Sequence, residues 1–268
     1  MPRRVRLALT FFTGVVLAAI YLPLLVVVVS SFNPDRTFSW PPHGLTVEWW
    51  HKAWANSGAR DALWTSTKAG LGATALALLL GTMAAFAVGR YRFFGREAVS
   101  FLVVLPIALP GIVTGIALNT AFRTRIGPLG IGLGLLTVVI GHATFCIVVV
   151  YNNVLARVRR VGGSLEEASS DLGADTLQTF RHVTLPSVRS ALLAGGLLAF
   201  ALSFDEIIVT TFTAGPGVQT LPIWIFSNIA RPNQAPIVMV VAAVLLVLAS
   251  VPVWLAQRLS SDTAGGRL

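Results

Sequence analysis

Apolar side chains in this chain gather in six long runs that are hydrophobic on every side instead of in stripes. They extend approximately from Leu7 to Ser31, Trp64 to Gly89, Val99 to Phe122, Leu129 to Tyr151, Ala191 to Phe212 and Ile237 to Leu255. Crossing a bilayer takes about 20 mostly apolar residues in a helix, because each backbone amide and carbonyl must find its partner within the segment. Six transmembrane helices are therefore expected. A membrane strand would alternate in polarity over about ten residues, and none of these runs does so.

The first run follows Arg3, Arg4 and Arg6, as the apolar part of a secretory leader would. Its length exceeds that of a leader, and no small-x-small cleavage site precedes the polar Asn33-Pro34-Asp35, so it reads as a retained helix. Composition agrees with a chain dissolved in lipid: 55% of residues are apolar, 12% are charged and the mean hydropathy is +0.76. Soluble proteins carry roughly 25% charged residues.

The net charge of +9 raises the question of nucleic acid. The arginines, however, sit in short intervals between the runs and form no single basic face, which points to a lipid bilayer and to no nucleic-acid partner. Basic residues collect on the cytoplasmic side of membrane proteins. With the N-terminus inside, the cytoplasmic intervals hold Arg3, Arg4, Arg6, Arg90, Arg92, Arg96, Arg157, Arg159, Arg160, Arg181, Arg189, Arg258 and Arg267, leaving seven basic residues outside. Both termini are thus expected in the cytoplasm. Cys146 is the one cysteine, and His43, His51, His142 and His182 are scattered without ligand spacing. Neither a disulfide within the chain nor a metal site is expected, and no cofactor is implied.

Two intervals are longer than turns require. The outer one, from Phe32 to Leu63, carries Trp40, Trp49, Trp50 and Trp54. A short helix with Trp50 and Trp54 on one side would suit the headgroup layer, where indole rings concentrate. The cytoplasmic one, from Asn152 to Ser190, has its own pattern. Ser164-Leu165-Glu166-Glu167 fits a capping box that opens a helix, and Gly173 fits its left-handed end. Asp175 with Gln178 repeats the capping pattern, and Leu185-Pro186 is expected to close this second helix and open the next. Leu172, Leu177, Phe180 and Leu185 would leave such a hairpin apolar with no core of its own. Cover would come from the chain's own helices or from a separate cytoplasmic protein, and the residues alone leave both open.

Glu167-Ala168-Ser169, three residues, Gly173, nine residues and Val183-Thr184-Leu185-Pro186 resemble the signature loop of permeases in binding-protein-dependent ABC importers, where the pattern is Glu-Ala-Ala, three residues, Gly, nine residues, Ile-x-Leu-Pro. Ser169 and Val183 are small departures. The resemblance implies an all-α integral membrane protein of the type I (MetI-like) permease fold, a single domain over residues 1–268 with coupling loop 152–190, in a prokaryotic plasma (inner) membrane. It implies a coupling helix, carried by Glu167, Ala168, Ser169, Gly173, Ala174, Phe180, Leu185 and Pro186, that docks on an ABC ATPase dimer. A second homologous permease subunit and an extracytoplasmic substrate-binding protein complete the implied assembly. The chain has no Gly-x-x-x-x-Gly-Lys-Ser/Thr phosphate loop, so ATP hydrolysis is expected in another chain and not in this one.

From Leu165 to the end of the sixth run, the chain also resembles the second permease of spermidine/putrescine importers, most clearly in Leu202-Ser203-Phe204-Asp205-Glu206-Ile207-Ile208-Val209-Thr210 and Gly215-Pro216-Gly217. Some polyamine permeases carry an acidic residue just after the proline of the third span, where this chain has Gly111. Asp205 and Glu206 are the acidic residues inside an apolar run. A charge at mid-membrane costs at least about 2.5 to 3.5 kcal/mol, so it faces a cavity or a partner. On a continuous helix from Ala191, Asp205 would lie roughly 21 Å from the inner end, in the outer half of the membrane. One reading has Asp205, Glu206 or both meeting a protonated amine in transit; the other has an internal ion pair, with Arg231 or another subunit. Gly111 and Gly115 form a Gly-x-x-x-Gly step expected to serve helix packing, and residues 216–236 are expected to include a short outer helix. Rival functions are an importer of ferric ion or a cationic amino acid, and an ATP-independent secondary transporter, which would usually show an internal repeat.

Overall fold

The computed structural model describes residues 2–36, 39–124 and 132–264, with side chains described as far as residue 259. It is helical throughout, with no strand among the described residues. Five helices are long and apolar enough to cross a bilayer: α1 (Arg3–Ser30), α3 (Ser57–Arg90), α6 (Leu135–Val161), the continuous stretch Thr176–Phe204, and α12 (Ala235–Ala264) over its first part, Ala235–Leu259. A bent pair, α4 (Arg96–Ala108) and α5 (Gly111–Arg123), brings the number to six when counted as one broken span.

Two spans depart from the sequence reading. The third is no straight helix: α4 and α5 meet at 106° across Leu109-Pro110. Leu109 is extended, with φ −83° and ψ 142°, because the ring of a following proline disfavours the helical region. The fifth expected span, Ala191 to Phe212, is shifted. Its helix starts at Thr176 and stops at Phe204, and a short helix α10 (Ile208–Thr213) follows the break. The expected start of the fourth span at Leu129 lies outside the described residues, as does Gly130; α6 is described from Leu135.

The chain divides into two compact units, Met1–Arg60 with Trp224–Val247, and Asp61–Ile223 with Leu248–Leu268. In the first, α1 buries Ser30 and none of its apolar side chains. The short helix α2 (Glu48–Ala55) buries Trp49 and Ala53. Trp50 stacks on Phe32 at 5.2 Å between ring centroids, whereas Trp54 is 73% exposed. The two rings expected to share a lipid-facing side therefore have different surroundings, because Phe32 takes Trp50 inward. A short helix, α11 (Leu221–Asn228), forms within residues 216–236, where the sequence suggested one.

The second unit is built on small residues. Ala69, Ala73, Ala77 and Ala85 recur every four or eight residues along α3, all fully buried. Val150, Tyr151, Val154 and Val158 of α6 join Ala73, Ala77 and Ala85 in one core with Val188 and Ala199 of the fifth span. Gly81 stands in the same row of α3, and a Cβ there would lie 2.9 Å from the carbonyl oxygen of Ile147. Lipid tails are as apolar as leucine, so helix association in a bilayer relies on close van der Waals approach, which small residues permit. Tyr151 extends the contact by a 2.7 Å hydrogen bond between its hydroxyl and that of Ser100 on α4.

Gly81→Val should lower the melting temperature of the detergent-purified chain, since overpacking against backbone costs about 1–3 kcal/mol. Gly14→Val, at a position with no heavy atom within 4 Å of the added carbon, should leave it unchanged.

Candidate functional site: the hairpin before the fifth span and the break within it

After α6 the chain turns at Gly162 and Gly163 into α7 (Ser164–Asp171). The expected capping box of Ser164 and Glu167 does not form: Gly163 is the N-cap, Ser164 is already helical, and no side chain caps the first amides. Both Glu166 and Glu167 instead donate their amides to the carbonyl of Gly163. The tie is made by Glu166, whose carboxylate accepts from Arg90 at the end of α3 and from the Thr184 hydroxyl, each at 3.0 Å. Gly173, at φ +83°, ends α7 in the left-handed region that side chains disfavour. Asp175 and Gln178 then form the anticipated reciprocal cap at 2.8 and 3.0 Å, opening α8 (Thr176–Thr179).

That second arm does not close at Leu185-Pro186. A π-helical turn over Phe180–Thr184 carries it into α9 (Leu185–Phe204) without a stop. The Leu185 amide reaches back to the carbonyl of Phe180, and this wider turn accommodates the ring of Pro186, which has no amide to give. The second arm of the hairpin is thereby a continuous prolongation of the fifth span. Ser169 and Thr179 bond hydroxyl to hydroxyl at 3.1 Å across its two arms, and Phe180 packs edge-on against Phe86 of α3. Of the residues implied in coupling, Glu167, Ala168, Gly173, Phe180, Leu185 and Pro186 are exposed, and Ser169 and Ala174 are half-buried. The tip is apolar and uncovered: Leu172 is 90% exposed and Leu177 is 73% exposed.

The acidic pair lies where the fifth span breaks. Asp205 follows the last helical residue, Phe204, so its depth does not follow from a continuous helix. Its side chain is exposed and makes no ion pair among the described residues. Glu206 turns inward. Its two carboxylate oxygens accept the amides of Val209 and Thr210 at 2.8 and 2.9 Å, satisfying backbone donors at the start of α10. The Nε2 of His142 on α6 lies 3.4 Å from its carboxylate, while Arg231 donates to Asn228. The His142 ring is fully buried and bridges Ser203 and Thr210, both at 2.7 Å.

α10 is held on two further sides. Thr137 of α6 donates to the carbonyl of Thr213 at 2.7 Å, and Asn119 of α5 donates to that of Phe212 at 2.5 Å. A Cβ on Gly115 would stand 2.6 Å from the Phe212 ring, and one on Gly111 would touch Ile208. The Gly-x-x-x-Gly step therefore seats α10. His142 was passed over in the sequence as one of four scattered histidines. The signal for it was a polar ring deep in one apolar run and a carboxylate in another, since each needs a partner inside a membrane.

His142→Leu would leave Ser203, Thr210 and Glu206 short of a partner, at about 1–3 kcal/mol for each buried group left unsatisfied. The detergent-purified variant should melt well below the native chain, and His142→Gln, which restores part of the bonding, should fall between them.

Sequence and structure comparisons agree with this architecture. The sequence model of the binding-protein-dependent transport system inner membrane component family matches residues 77–264. The putrescine transport system permease protein PotI of Escherichia coli (strain K12) is 34% identical over 214 residues, 78% of this chain and 75% of PotI. The spermidine/putrescine transport system permease protein PotC of the same organism is 32% identical over 256 residues, 95% of this chain and 94% of PotC. A chain from the crystal structure of a bacterial ABC transporter involved in import of the acidic polysaccharide alginate shares the fold, with a TM-score of 0.68 over 98% of both chains at 16% identity. The chain thus belongs to the binding-protein-dependent transport system inner membrane component family, as a multi-pass membrane permease of the ATP-binding-cassette importer type.

Proposed function

We propose that this chain moves a polyamine such as putrescine or spermidine into a prokaryotic cytoplasm, as a single permease domain with both termini inside. It works beside a second, homologous permease subunit, an ABC ATPase dimer and an extracytoplasmic substrate-binding protein. The observation that carries the choice of cargo is Asp205: an exposed carboxylate within an apolar run, beside a Glu206 already engaged by His142 and two amides. A carboxylate left open at such a place attracts a protonated amine and repels an anion. The likeness to PotI and PotC favours the same cargo.

Energy enters through the hairpin. Leu172 and Leu177 are exposed at its tip, and burying each in an ATPase groove contributes about 1.5–3 kcal/mol. Gly173 fixes the shape of that tip, Glu166 anchors it to α3 through Arg90, and the unbroken α8–α9 stretch transmits its displacement to the break at Asp205. Coupling of this kind requires an element with two arrangements that both sites bias. The fifth span, rigid on one side of Phe204 and broken beyond it, is suited to that role.

Two results test the proposal. Leu172→Asp with Leu177→Asp, or Gly173→Val, should abolish co-purification of the ATPase and ATP-driven uptake while the chain remains in the membrane; unchanged uptake would refute the docking role. Asp205→Asn should raise the KM for putrescine by about tenfold or more, the loss expected for a charged hydrogen bond, with little change in melting temperature. Indifference of uptake to Asp205→Asn combined with Glu206→Gln would remove the polyamine assignment.

A further inference from the structure

The connection between α3 and α4 reads Tyr91-Arg92-Phe93-Phe94-Gly95-Arg96-Glu97, and neither the hairpin nor the break in the fifth span requires that composition. Its rings face outward: Tyr91 is 68% exposed and Phe94 is fully exposed. Two adjoining clefts open beside them. One, of about 290 Å³, is lined by Val88, Arg96, Glu97, Ser100 and Arg159. The other, of about 420 Å³, is lined by Arg92, Phe93, Gly95, Arg96 and Glu97. Arg90 nearby is engaged with Glu166. Arg92, Arg96 and Arg159 make no ion pair among the described residues, not even with Glu97.

We propose that this elbow is a binding site for the headgroup of an anionic glycerophospholipid drawn from the cytoplasmic leaflet. The site rests on the inside orientation proposed above. Three guanidinium groups against one carboxylate leave a net positive cleft, and the planar guanidinium fork matches phosphate oxygens two at a time. Basic pockets between transmembrane helices on the cytoplasmic side suit such headgroups. The exposed Tyr91, Phe93 and Phe94 decide between a lipid and free phosphate. Dissolved phosphate gains nothing from three neighbouring rings, whereas a lipid brings acyl chains and an interface in which aromatic rings are favoured. Glu97 opposes an anion and would suit an ammonium, so the excess of arginine selects an acidic headgroup over phosphatidylethanolamine.

The full-length chain in mild detergent provides the test, by native mass spectrometry of retained phosphatidylglycerol against phosphatidylethanolamine and phosphatidylcholine. Phosphatidylglycerol should be retained at least tenfold better than either. Arg92→Gln, Arg96→Gln and Arg159→Gln should each lower retention about fivefold, and Glu97→Gln should raise it. Arg92 is exposed, so its variant keeps the test valid if the Arg96 variant fails to fold. Equal retention of the three lipids would overturn the proposal, as would an equal loss on neutralising Arg3, Arg4 and Arg6, which removes the same charge elsewhere. Displacement by millimolar inorganic phosphate would overturn the lipid as occupant. Detergent retention is independent of orientation, so a Phe94→Cys variant labelled from the outer face of intact cells would overturn the leaflet assignment and the transport orientation separately.

Discussion

A helix that stops within an apolar run must pass its backbone hydrogen bonds to side chains or to neighbouring helices, because hydrocarbon offers none. The fifth span meets this constraint at Phe204, and the arrangement around it follows. Glu206 takes the first amides of α10, Asn119 and Thr137 donate to its last carbonyls, and His142 holds Glu206 together with Ser203 and Thr210. These partners come from α5, α6 and the end of α9. A polar cluster therefore fixes three apolar helices around one short segment. Asp205 is the acidic residue next to it that the cluster does not consume.

The same constraint explains what the sequence made legible. Long apolar helices were readable because a backbone in lipid demands them, and composition alone reports them. Breaks inside spans were harder. Pro110 offered a local signal for the bend between α4 and α5, whereas the stop at Phe204 depends on His142 and Thr137, some sixty to seventy residues earlier in the chain. The capping role of Glu206 is invisible without α10. In the hairpin, the Asp175–Gln178 cap and the left-handed Gly173 were local and legible. The Ser164 cap was displaced by the turn at Gly162 and Gly163, and the link from Glu166 to Arg90 spans distant sequence.

Small residues and polar ones divide the work within the second unit. Rows of alanine and glycine on α3 bring it close to α6, where dispersion acts over a large area with no directional demand. Hydrogen bonds then add direction at a few points: Ser100 to Tyr151, Arg157 to the carbonyl of Ser187, Arg90 to Glu166. The region near the hairpin is consequently tied to α3 and α6 by named contacts, while the tip at Leu172 and Leu177 is left uncovered.

The π-helical turn at Phe180–Thr184 sets an angular relation as well as a continuous rod. A turn closed over five residues instead of four inserts one extra residue, and on a helix one residue is worth roughly 100° of rotation. The tip of the hairpin and the core-facing side of α9 are therefore held in a relative azimuth that an ordinary α-helix of the same sequence would not give. Collapse of that turn to regular geometry would swivel the leucines around the helix axis while Val188 and Ala199 stayed in their sockets.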